Sequence, residues 1–160
     1  MLINPNLLDI TKTTHTNAPY DFNTKIARAL NNYSSSRVQF KLPDDLVVGQ
    51  EYTFSCEIDN IDGDKELDVL AYPYQGVPIQ RKLKADNGRQ AYTFKLNSEN
   101  THIYLYLGKR AETYGSYKIY NIKLEEGTEA TTYVPYKDNL PEDNQHLLPP
   151  EGNYKEIQAL

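Results

Sequence analysis

Tryptophan is absent from this chain, and cysteine and methionine occur once each in 160 residues. With Cys56 alone, no intramolecular disulfide can form, so the fold must stand on its apolar core. Cys56 lies in phase with Tyr52, Phe54 and Ile58 and has no electropositive neighbour in sequence. It reads as a small core residue rather than a reactive thiol. No run approaches the ~20 apolar residues of a membrane-spanning helix. The opening residues, Met1-Leu-Ile-Asn-Pro-Asn-Leu-Leu-Asp, have neither a basic start nor a long apolar stretch, which is not the pattern of a signal peptide. Work outside a cell would then be reached by lysis, within a particle, or as a piece of a larger chain.

A basic surplus is also lacking. Seventeen Lys and Arg face 22 Asp and Glu, for a net charge of -5 and a pI near 5.2. Nucleic acid and anionic membrane surfaces are therefore not the expected partners, since both are bound mainly through Lys and Arg. Catalytic signatures are missing too: there is no Gly-x-Ser-x-Gly, no glycine-rich phosphate loop and no Cys-x-x-Cys. His15, His102 and His146 are not at ligand spacing. Glu125 and Glu126 are adjacent, so on a strand they face opposite ways and cannot flank one bond. The acidic stretch Asp59-Asn-Ile-Asp-Gly-Asp fails as an EF-hand, because aligning Gly63 puts Ile58 and Val69 at ligand positions. It reads as a solvated hairpin turn. Nothing asks for an enzyme or a cofactor.

What the chain has is tyrosine and alternation. Hydrophobic residues make up 39%, and Tyr accounts for 14 residues against four Phe. Period-two patterning recurs in six runs. Val38, Phe40 and Leu42 oppose Arg37, Gln39 and Lys41. Tyr52, Phe54, Cys56 and Ile58 share a face. Leu67, Val69 and Ala71 oppose Asp68, Leu70, Tyr72 and Tyr74. Tyr92, Phe94 and Leu96 point one way. Ile103, Leu105 and Leu107 oppose His102, Tyr104 and Tyr106. Tyr120, Ile122 and Leu124 are the expected inner set of the last run. Residues 24–31 read as a short strand or loop, because no helix cap precedes Ile26, Ala29 and Leu30. Turn residues separate the runs at Pro43-Asp-Asp, Asp62-Gly63, Gln75-Gly76, Asp86-Asn-Gly88 and Tyr114-Gly115. The pattern predicts an all-β, antiparallel β-sandwich.

Tyr72 and Tyr74 on one strand, and Tyr104 and Tyr106 on another, fall on the sides facing away from the apolar sets, as do Arg37 and Gln39. Together they would make a polar-aromatic platform. A sugar ring packs its C–H groups on an aromatic face and bonds its hydroxyls to Arg, Gln and Tyr tips, so these six are the candidate ligand-binding residues. The competing reading makes these tyrosines the edge of the core, since Tyr is common in any sheet.

Three stretches carry a resemblance. They are Asn6-Leu-Leu, then Leu46-x-x-Gly49-x-x-Tyr-Thr-Phe-Ser, then Leu124-Glu-Glu-Gly-Thr-Glu-Ala-Thr-Thr-Tyr-Val-Pro-Tyr136. This ordered set resembles the jelly-roll carbohydrate-binding modules of phage tail, baseplate and receptor-binding proteins that act on Gram-positive bacteria. Similar modules are appended to glycoside hydrolases. The resemblance spans about residues 4–136 and implies a jelly-roll fold, cell-wall polysaccharide and other tail proteins as partners, and a place on the virion, acting outside the cell. It further implies that Leu7 and Leu8 cap the core and that Tyr133 and Tyr136 pack back near the N-terminus. A structural calcium ion, to which Asp9 and Glu125 could contribute, is allowed by the resemblance without a specific motif. Two other settings stay open: a structural spacer of the tail without sugar binding, and an accessory module of a secreted glycan-degrading enzyme.

Residues 1–137 are thus expected to form the sandwich. Residues 138–160 lack periodicity and read as a linker, or as the start of a following module whose Asn144-Gln-His-Leu-Leu-Pro echoes Asn4-Pro-Asn-Leu-Leu-Asp.

Overall fold

The computed structural model describes residues 3–30, 35–73 and 81–136. Tyr74, the Gln75-Gly76 turn and the 138–160 segment lie outside the described residues. The described chain is built from strands: β1 (Thr14–Thr16), β2 (Ile26–Arg28), β3 (Arg37–Lys41), β4 (Glu51–Asn60), β5 (Glu66–Tyr72), β6 (Lys82–Lys84), β7 (Arg89–Lys95), β8 (His102–Tyr106), β9 (Gly108–Lys109), β10 (Glu112–Thr113) and β11 (Ser116–Glu126). A single 3-10 turn at Ile10–Lys12 precedes β1; Asp9 caps it by accepting from the Thr11 N–H.

One sheet has the order β1-β3-β8-β5-β6 and the other β2-β11-β4-β7; β9 and β10 form a small hairpin. Every strand pair is antiparallel. The two sheets face each other as an antiparallel β-sandwich, and the alternation read from the sequence explains why. Val38, Phe40, Val69, Ile103 and Leu105 of the first sheet are buried, as are Tyr52, Phe54, Cys56 and Ile58 of the second, all in one core cluster. Phe40 and Phe54 meet across the layers with ring centres 5.1 Å apart. Cys56 is fully buried there, and that burial pushes its thiol up to about 12. It stays a neutral packing group at physiological pH.

The last strand departs from the expected phase. Tyr117 and Ile119 point into the core, and so do Ile122 and Leu124, but Tyr120 does not. The register against β4 slips between Tyr120 and Lys123, where Asn121 adopts a φ of 50°. One extra residue reverses the parity of everything after it. Tyr120 therefore turns outward, and its hydroxyl donates to Asp59 (3.1 Å).

The bulge has a second result. Lys123 and Glu125 belong to the outer face of the second sheet, yet both side chains are fully buried. Residues 128–136 fold back over them. The Lys123 Nζ donates to Thr131 Oγ1 (2.8 Å) and the Thr132 carbonyl (2.7 Å). Glu125 accepts from Thr131 N (3.1 Å), Thr131 Oγ1 (2.6 Å) and Asn4 Nδ2 (3.2 Å). Burial lowers the Lys123 ammonium to about 8, against the pull of Glu125 in the other direction.

Asn6 completes this closure. Its Nδ2 donates to the Ile122 and Val134 carbonyls, and its Oδ1 accepts from Leu8 N and Leu124 N. All four side-chain hydrogen-bonding positions of the amide are used. Leu8 beside it is buried in the core, and Asn6 bridges Tyr136 in parallel. The outer face of the second sheet around Lys123 and Glu125 is thus covered by residues 4–6 and 128–136. On the outer face of the first sheet Asp68, Leu70, Tyr104 and Tyr106 are buried, whereas Tyr72 is exposed.

Candidate functional site

Strand parity sets what lies on that face. Across β3, β8 and β5, the register places Gln39, Tyr104 and Leu70 in one row. Arg37 pairs with Tyr106 in the next row on one side, and Lys41, His102 and Tyr72 form the row on the other. Five of the six candidate residues therefore share one surface; Tyr74 lies outside the described residues.

Their exposure is unequal. Tyr72 is 41% exposed, whereas Tyr104 is 8% and Tyr106 3%. Tyr104 and Tyr106 are not part of the central core. They form their own small cluster with Leu70 on the outer side of the sheet. The Tyr72 ring stacks on Tyr104 with centres 4.2 Å apart and planes 9° from parallel. The Arg37 guanidinium carbon lies 4.4 Å from the same ring centre. Arg37 and Tyr72 stand on opposite diagonals of Tyr104, and two groups this close cannot share one ring face. Tyr104 is consequently held between them, with Tyr106 edge-on at 6.2 Å and 78°. Burial raises the Tyr104 hydroxyl above the ordinary tyrosine range, although Arg37 pulls the other way. Of the three described rings of the expected platform, Tyr104 and Tyr106 are buried beside Leu70 and Tyr72 is exposed.

The polar groups are similarly ordered. Gln39 Oε1 accepts from Arg37 Nε (2.9 Å) and Thr16 Oγ1 (2.8 Å), and its Nε2 donates to Thr14 Oγ1 (2.9 Å). Gln39 is spent on positioning Arg37 and tying β1 to β3. The Arg37 Nη1 donates to the Ser35 carbonyl (3.2 Å). Asp68, on the same side of β5, accepts from Lys82 Nζ (2.7 Å) and from Arg110 N (2.8 Å). That hydrogen bond raises the Lys82 ammonium. Asp68 and Lys82 were not singled out from the sequence. The alternation of β5 already put Asp68 on the outer side, but nothing local revealed Lys82 opposite it.

Asp9 and Glu125 do not fit a calcium ion. Asp9 is occupied by Thr11, and Glu125 lies beside the Lys123 ammonium, which leaves no place for a second cation needing six to eight oxygens. Among the described residues no group of three or more His, Cys, Asp and Glu side chains gathers to hold a metal. The Asp59–Glu66 stretch is a hairpin connection in which Asn60 bonds both the Gly63 carbonyl and the Gly63 N–H. What the described residues of this face offer chemically is the exposed Tyr72 ring, a fixed guanidinium and a rim of ammonium groups.

No protein-family model matches the sequence, and no curated protein does. Solved structures align with this chain at low similarity. One is a low affinity xylan binding module, CBM86, of Roseburia intestinalis, with 10% identity and a TM-score of 0.43, covering 74% of this chain and 95% of that one. Another is a mutant of a family 29 carbohydrate binding module, with 9% identity and a TM-score of 0.45, covering 89% and 96%. A third is the secreted serine protease VesC of Vibrio cholerae, with 13% identity and a TM-score of 0.43 over 74% of this chain. The chain spans a quarter of that protease's length.

Proposed function

We propose that this chain is a non-catalytic carbohydrate-binding module, and that the outer face of the β1-β3-β8-β5-β6 sheet is its docking surface. One observation carries the reading: the 41% exposed Tyr72 ring, braced by Tyr104 with Arg37 on that ring's other side. A sugar stacks its C–H face on such a ring and hydrogen-bonds its hydroxyls to the neighbouring donors. Bracing matters because an ordered side chain loses little freedom on binding. The sequence resemblance to phage tail and baseplate modules supplies the setting: adsorption to cell-wall saccharides of a Gram-positive host, with other tail proteins as neighbours. A shallow single site binds weakly, and repetition around a tail axis would raise avidity by about 10² to 10⁴.

The test is isothermal titration with solubilised Gram-positive cell-wall polysaccharide. Tyr72→Ala is expected to weaken binding about tenfold, close to the 0.5–1.5 kcal/mol of a good ring contact, while moving stability by less than about 1 kcal/mol. Tyr104→Ala removes the brace and the packing together, so it is expected to lower both binding and melting temperature. A folded wild-type module that binds no saccharide would leave the spacer role as the better reading.

A further inference from the structure

The net charge of the chain conceals the charge of this face, and the inference drawn from that contrast rests on the docking reading above. Overall, acidic residues outnumber basic ones by 22 to 17. On the outward positions of the five-stranded sheet the balance reverses. Register places Arg37 and Lys41 of β3 and Lys82 and Lys84 of β6 there, against only Glu66 and Asp68 of β5. His102 adds no charge at neutral pH, because burial, and then Lys41, hold its imidazole below the ordinary range.

One of these charges is firmly matched, and Glu66 meets Lys84 in register only. Asp68 is bound to Lys82 at 2.7 Å, and Glu66 sits directly across from Lys84. Lys41 reaches Asp44 at 3.4 Å, but that carboxylate is 97% exposed, so the pair contributes little. Arg37, like Lys84, joins no ion pair among the described residues, but its head is fixed in place. Uncharged groups hold it instead: Gln39 Oε1, the Ser35 carbonyl and the face of Tyr104. A half-buried guanidinium fixed by neutral partners is a fork prepared for an anion. It stands across the Tyr104 ring from the exposed Tyr72, so a ligand reaching both spans a charge and a sugar ring.

We propose that the face selects an anionic saccharide, one whose repeat carries a phosphodiester or a carboxylate, with the anion on Arg37 and a sugar ring on Tyr72. A neutral glycan would leave the guanidinium without a counter-charge. An acidic chain that meets a negatively charged cell wall also gains from concentrating its positive charge on the contacting face.

The experiment titrates the protein with Gram-positive cell-wall polysaccharide in three forms. One is untreated, one is stripped of phosphodiesters with hydrofluoric acid, and one has its carboxylates reduced with carbodiimide and borohydride. At about 20 mM salt, one of the two treatments is expected to weaken binding at least about tenfold, naming the anion. The gap should shrink to about twofold at ~0.5 M salt as screening shortens to a few ångströms. Arg37→Gln is expected to bring the untreated-to-treated affinity ratio close to one, whereas Arg37→Lys, which keeps the charge, retains a salt-dependent preference. Melting curves of both variants verify that the sheet is intact. If both treated forms bind as tightly as the untreated one, the anionic preference is wrong while saccharide docking stands. If no form binds, both fail.

Discussion

Glu125→Ala is expected to lose about 3–5 kcal/mol of stability in urea unfolding, the usual cost of leaving one partner of a buried ion pair alone. Lys123 and Glu125 are both fully buried, with Nζ and Oε2 3.7 Å apart. Removing the carboxylate strands the ammonium with Thr131 Oγ1 and the Thr132 carbonyl as its remaining acceptors. It also orphans the Thr131 N–H and removes one of the hydrogen bonds of Asn4. A Lys123→Met/Glu125→Leu double variant separates the pair's own contribution from the penalty of breaking it. Two apolar side chains of similar size need no desolvation offset, so the double variant is expected to be markedly more stable than Glu125→Ala alone. Stability of the double variant as low as that of the single one would show that the strap, and not the charge, is what Glu125 holds. The site face lies on the other sheet, so saccharide affinity measured well below the melting temperature should be unchanged in all three proteins.

Gly115→Ala is the second large effect, expected at about 3–5 kcal/mol from a left-handed backbone combined with overpacking. Gly115 has a φ of +91°, and a methyl group there would meet Gly63 Cα at 2.5 Å and the Asp62 carbonyl oxygen at 3.0 Å. These are backbone atoms and cannot rotate away. The tight contact is what lets Asp62 accept from the Ser116 N–H (2.5 Å) and so join the β4–β5 hairpin to the start of β11. Gly88→Ala is the matched comparison. Its φ is +67°, with nothing within 4 Å of the added methyl. It should therefore lose only about 1 kcal/mol. Equal losses at the two positions in chemical denaturation would show that conformational strain, rather than the backbone contact, sets the cost at Gly115.

The layered fold was legible because long strands with one buried face must alternate. The residue types of β3, β4, β5, β7 and β8 alternate over five or more residues, although only β3 also alternates strictly in burial. β6, β9 and β10 have two or three residues, too few to show a period, and were not seen. The outward turn of Tyr120 was missed for a different reason: a bulge is a pairing irregularity, and pairing belongs to two strands at once. The burial of Lys123 and Glu125 was likewise invisible. Both are polar residues on an outer strand position, and only the return of residues 128–136 takes them out of water.

The candidate face was partly legible on the same grounds. Parity alone was enough to group Arg37, Gln39, Tyr72, Tyr104 and Tyr106. How open each side chain is depends on the cross-strand register, which set Tyr104 between Arg37 and Tyr72 and left only the latter ring uncovered. The pairing of Lys82 with Asp68 follows from that same register.

The most direct measurement is a nitrogen–proton NMR titration of the protein with solubilised Gram-positive cell-wall polysaccharide. The amides of Arg37, Gln39, Leu70, Tyr72, His102 and Tyr104 should shift together in a dose-dependent way, with those of Thr53, Ser55 and Lys123 on the opposite sheet left in place. Shifts confined to the opposite sheet or to the loops at the sandwich ends, with the Tyr72 face silent, would contradict the account.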